Sequence, residues 1–179
     1  MVQSLRHAIG FQISRFHFRK SRDRVLSFSE AVTKAKSILL IMPFDTVRDT
    51  QPEYVIGIFK KQFDEHSLTV VTNDASLADR KVLPARQIIH MGTPDVTTFF
   101  LPSEDVIDKV KRRQYDLAID LSIDLVLPSG YIAKESDARV RIGFARSRAD
   151  TFFNFQIQRD PDLNPKLMYE RLARCLQMF

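Results

Sequence analysis

The chain has 179 residues, 44% hydrophobic and 27% charged, which suits one ordinary globular α/β domain with a short extension. A single cysteine, Cys175, excludes an internal disulfide and a cysteine-only metal site within one chain. The net charge of +5 is uneven: residues 1–36 carry eight Lys/Arg against two Asp/Glu, and residues 37–179 carry nineteen against twenty. Any attraction to a polyanion is therefore expected from the N-terminal segment.

That segment, 1–36, reads as a basic amphipathic arm. Val2, Leu5, Ile9, Ile13 and Phe16 recur at spacings of three and four, which predicts a helical stripe, while Arg15, Arg19 and Arg22 lie on another face. Gly10 weakens this helix, and Phe11 and Phe18 fall off the stripe. No apolar run is long enough to span a membrane, and the early cations leave no room for a secretory signal, so a cytoplasmic protein is expected.

A short helix is expected from Ser29 to about Lys36, capped by Ser27 or Ser29. The apolar run Ile38-Leu39-Leu40-Ile41-Met42, stopped by Pro43, predicts a strand buried on both faces. Pro52 suits the first turn of a helix carrying Tyr54, Val55, Ile58, Phe59 and Phe63. Strands are then expected at 68–72, 87–90, 115–121 and 139–144, with helices at 104–113, capped by Ser103, and near 129–135. Thr151–Gln158 suits an edge strand. Asn164-Pro165 opens a last helix in which Leu167, Met168, Leu172, Cys175, Leu176 and Phe179 keep helical spacing. Cys175 is expected as a buried structural thiol. The final apolar helix is expected to dock, on its own sheet or on a partner protein. Strands alternating with helices predict parallel pairing and a doubly wound, Rossmann-like sheet over residues 37–179.

The chemistry-bearing candidates sit in two loops. The loop after the first strand, Pro43 to Pro52, contains no glycine, which excludes a P-loop or a dinucleotide fingerprint there, and no cofactor is expected. It does carry Asp45, Arg48 and Asp49 beyond the carboxyl end of a strand, where ligands of such sheets bind. A carboxylate there suits a general base toward a sugar hydroxyl, or simply an ion pair and a helix N-terminus. Asp120, ending the fourth predicted strand, is a second ligand-contact candidate; Asp124 reads rather as a cap. His7, His17, His66 and His90 show no metal-ligand spacing, so no metal is expected.

In the arm, Arg15, Phe16, Arg19, Lys20 and Arg22 mix aromatic and basic character. Nucleic acid is the weaker reading, since the charge is modest. An anionic membrane surface on the inner face of a membrane suits the arm better, in competition with packing on this domain or a partner protein.

From Ile38 onward, four ordered stretches resemble the N-terminal domain of family 9 glycosyltransferases, the lipopolysaccharide heptosyltransferases: 38–45, 114–121, 138–144 and 164–172. The resemblance implies an acceptor-side Rossmann-like domain without the donor-binding half. The family has Gly-Asp in the first loop, its proposed base. Counting from the strand puts Arg48 at that acidic position here, and matching by residue type puts Asp49 there. Three readings follow: a non-catalytic interaction or scaffolding subunit, the acceptor-binding half of a split glycosyltransferase completed by a separate donor-binding chain, or a small-molecule binding module. The isolated chain is not expected to be an enzyme.

Overall fold

Ile38–Ile41 forms the central strand β1, and all four of its side chains are fully buried. The computed structural model describes residues 2–21, 27–44, 57–59, 63, 67–75, 87–160 and 162–178. Leu68–Thr72 (β2) pairs with one edge of β1, and Leu117–Asp120 (β4) with the other. Gln87–His90 (β3) lies beyond β2. Val140–Phe144 (β5) and Phe155–Ile157 (β6) lie beyond β4. All five pairings are parallel, in the order β3-β2-β1-β4-β5-β6. The expected α/β Rossmann-like sheet is present. The connections run outward in opposite senses from β1 and β4, which makes the gap between them the topological switch point.

Alternation along the strands builds two cores. Ile38, Leu40, Val70, Ile119 and Ile142 face one side, where the C-terminal helix covers them with Met168, Tyr169, Leu172 and Leu176. Leu39, Ile41, Val71 and Ala118 face the other, under Val106 and Val110 of the helix Glu104–Lys111 and Ile132 and Ala133 of the helix Leu127–Glu135. Parallel strands sandwiched between helices must be apolar on both faces, which explains the unbroken Ile-Leu-Leu-Ile run.

Helices among the described residues include, in chain order, α1 (Val2–Phe18), α2 (Phe28–Thr33), α3 (Glu104–Lys111), α4 (Leu127–Glu135) and α5 (Pro165–Gln177). Ser27 caps α2 through a hydrogen bond from the Glu30 amide, and Asn164 caps α5 by accepting from the Leu167 amide at 2.9 Å. Ser103 stands at the N-cap of α3, but its hydroxyl makes no capping bond, and Glu104 and Asp105 supply the favourable charge there instead. α5 docks on its own sheet. Cys175 is half-buried at the margin of that core rather than enclosed by it.

α1 packs on the domain, but with the face opposite to the predicted stripe. Val2, Leu5, Ile9, Ile13 and Phe16 point outward, with Phe16 at 64% exposure. Phe11 and Ser14 are buried, and Gly10 lies against the Phe99 carbonyl and Leu127. Phe11 meets Phe152 edge-on, and the Arg148 guanidinium lies 4.8 Å from the Phe11 ring centre. Periodicity alone marks the stripe of five. The two phenylalanines off the stripe win because the sheet's helical layer offers them aromatic partners.

A few polar and aromatic contacts tie the strand entries and the sheet edge together. The Asp116 carboxylate accepts from the amides of Lys36 and Ser37 at 2.9 and 3.2 Å, pinning the entry of β1 to that of β4. Arg141, buried in β5, donates to the carbonyls of Phe152 and Ala138, both at 2.8 Å, and so fixes the connection to β6. At the sheet's edge the Phe28 ring stacks on Phe155 of β6, with centroids 3.7 Å apart.

Candidate functional site

The residues following β1, β2, β3 and β4 converge at the carboxyl end of the sheet. Phe44, Asn73, Met91, Gly92 and the segment Leu125–Pro128 line a crevice of about 470 Å³ there. The strand order dictates this position: from the central pair the chain steps outward to β2 on one side and to β5 on the other, so the order reverses between β1 and β4. The volume matches a small-molecule site.

One wall comes from outside the sheet. His7 of α1 lines the crevice, and its ring lies 5.7 Å from that of Phe100, which lines it too. Phe100 has φ 59°, in the left-handed region that a bulky side chain rarely occupies. The turn that imposes this is closed by Phe100 N–H to the Thr97 carbonyl, Leu101 N–H to Thr97 Oγ1, and Thr97 N–H to the Leu101 carbonyl. Beneath it, Asp95 accepts from the Gly92 amide at 2.8 Å and so holds the floor turn after β3. Its carboxylate is committed to the backbone. The polar side chains lining the crevice are His7, Asn73 and Thr93, and no Lys or Arg lines it among the described residues.

Asp120 occupies the end of β4 and is fully buried. It accepts from the Ser122 amide at 2.9 Å and from Ser129 Oγ at 2.8 Å, and it faces the Arg146 guanidinium at 3.4 Å. Burial pushes its carboxyl above the ordinary value, and Arg146, Ser122 and Ser129 oppose that rise. Arg146 also donates to the Ser122 carbonyl. The cluster ties β4, α4 and the segment after β5 together. Asp120 is not among the residues lining the crevice. Asp124 pairs with Arg159 at the surface, at 2.9 Å.

A second carboxylate joins three helices' worth of side chains. Glu135, at the end of α4, accepts from His17 Nε2 of α1 at 2.6 Å and pairs with Lys111 of α3. Tyr131, one turn earlier, is pushed up to about 12 by burial and by the adjacent Glu135 carboxylate.

Of the expected site residues, Asp45, Arg48, Asp49 and Arg22 lie outside the described residues. Arg15, Phe16, Arg19 and Lys20 lie along or just after α1 on the solvent side, with the Arg19 guanidinium 3.9 Å from the Phe16 ring centre. Among the described residues no group of His, Cys, Asp and Glu is placed to hold a metal ion, and no helix is long and apolar enough to cross a membrane. His7 and Phe100 are crevice residues that periodicity does not reveal. The only local signal is Met91-Gly92-Thr93-Pro94, a glycine and a proline directly after a strand. None of the curated proteins matches this chain. Residues 15–179 match a family of unknown function, DUF6913, and the chain belongs to that family.

Proposed function

We propose that this chain is a non-catalytic binding subunit built like the acceptor domain of a heptosyltransferase. Its ligand is a small, largely apolar molecule with a few hydrogen-bonding groups, seated in the crevice at the β1/β4 switch point. The observation that carries this reading is the crevice itself, which stands where such sheets bind ligands and is walled by Phe44, Phe100, Leu125 and Leu127, with no Lys or Arg lining it among the described residues. Asp120 supports the non-catalytic part, because its carboxylate is buried and engaged by Arg146, Ser122 and Ser129. A first loop without glycine supports it too.

Two measurements test the reading. A thermal-shift panel of sugars, nucleosides and aromatic metabolites is expected to yield a stabilising ligand, because binding to the native state raises stability. Val96→Trp, which fills the crevice, is expected to abolish the shift. Incubation with nucleotide-sugars and sugar acceptors is expected to give no transfer. Turnover by the chain alone overturns the non-catalytic part, and a stabilising ligand unaffected by Val96→Trp overturns the location.

A further inference from the structure

α1 is apolar on two opposite faces. One is used: Gly10, Phe11 and Ser14 are buried against the domain. The other presents Val2, Leu5, Ile9, Ile13 and Phe16 to solvent, between 38% and 64% exposed. In a helix of 17 residues, about 26 Å long, these five side chains form one continuous outward ridge. On a helical projection Arg6 borders the ridge on one side, and Gln12, Arg15 and Arg19 on the other. Lys20 follows in the turn that ends the helix. No Asp or Glu occurs before Asp23.

We infer that the outward face of α1 binds an anionic lipid surface, lying in the headgroup region with its apolar ridge toward the acyl chains. Charge complementarity selects this occupant. Arg6, Arg15, Arg19 and Lys20 attract phosphate headgroups and have no acid among them to offset the charge, whereas a second copy would bring the same cations against its own. Shape agrees. The ridge runs along the outward side of a single helix, as the apolar face of an interfacial helix does. The long Arg side chains bordering it reach headgroups while their stems cover the ridge's margins. α1 is already held by its inner face, so docking requires no unfolding.

The test is sedimentation of the full chain with phosphatidylcholine vesicles, and with the same vesicles containing phosphatidylglycerol. Wild type is expected to pellet with the anionic vesicles and to be released by salt. Arg15→Gln and Arg19→Gln are each expected to weaken partitioning about five-fold, at ~1 kcal/mol per cation. Ile9→Glu and Phe16→Glu are expected to abolish it while the thermal melt stays unchanged, since both side chains face solvent. Equal recovery on neutral and anionic vesicles overturns the inference. So does a concentration-dependent dimer that Phe16→Glu dissolves, without vesicle binding, because the ridge would then serve a second copy. Retained vesicle binding by the Glu variants overturns the role of the ridge. The crevice experiments are independent of each of these outcomes.

Discussion

The α-carbon of Gly10 lies against the carbonyl oxygen of Phe99, so close that any Cβ there would overlap that oxygen. Glycine costs a helix interior about 0.5–1 kcal/mol relative to alanine, and here close approach is what that cost provides. The contact brings α1 down onto the turn that holds Phe100, and His7 with it into the crevice wall.

Gly10→Ala is therefore expected to destabilise the protein despite its better helix propensity. The obstacle is backbone, which cannot rotate away. Hydrogen exchange across residues 2–18 is the readout: protection falls if α1 lifts, and a rise in protection together with a higher melting temperature would show that propensity wins.

Asp120 and Arg146 form a buried pair, with side-chain exposures of 0% and 8%. Removing one partner leaves the other charge without its compensation, at a cost on the order of 3–5 kcal/mol. Asp120→Ala is expected to lower stability by that amount in urea unfolding. Asp120→Asn with Arg146→Met is expected to cost less than Asp120→Ala, because both charges of the pair are removed together. Equal costs would show that the pair contributes through packing alone.

Tyr131 gives the protein an alkaline limb. Its phenol holds its proton up to about 12, against 10.0 unperturbed. Between those values the native state binds the proton that the unfolded chain has released, so stability is full below pH 10 and is lost as pH rises toward 12. Tyr115, raised by burial, acts in the same direction. The difference between wild type and Tyr131→Phe isolates Tyr131: the variant is expected to lose less stability over that range, and parallel curves would refute the assignment.

Glu135→Gln is expected to cost about 1–2 kcal/mol, since it weakens charge-assisted bonds whose other ends, His17 and Lys111, are half-exposed and can turn to water. It is also expected to shrink the alkaline limb, because the Glu135 charge is one of the causes of the Tyr131 shift. Chemical denaturation at neutral and alkaline pH reads both effects.

Much of the architecture is legible in local pattern. The run from Ile38 to Ile41 is apolar without alternation because both faces of the strand are covered, and only a parallel, helix-flanked sheet demands that. Asn164-Pro165 announces α5 because a side-chain acceptor followed by a fixed φ suits a helix start. Asp120 is legible as special but not in role. A carboxylate ending a strand reads the same whether it faces ligand or an arginine 26 positions later.

What the sequence by itself determines is therefore the element order, the parallel Rossmann-like class and the segregation of basic charge into residues 1–36, all of which follow from spacing and composition within short windows. Tertiary structure alone decides which face of α1 is inside. Two apolar faces on one helix are equivalent until a partner exists, and the rings of Phe152 and Tyr131, the Phe99 carbonyl and the Glu135 carboxylate supply partners only to the face that holds Gly10, Phe11, His17 and Phe18. The crevice is decided in the same way. Its walls come from 7, 44, 73, 92, 100 and 125–128, positions with no common period, which meet because parallel strands deliver their following loops to one end of the sheet.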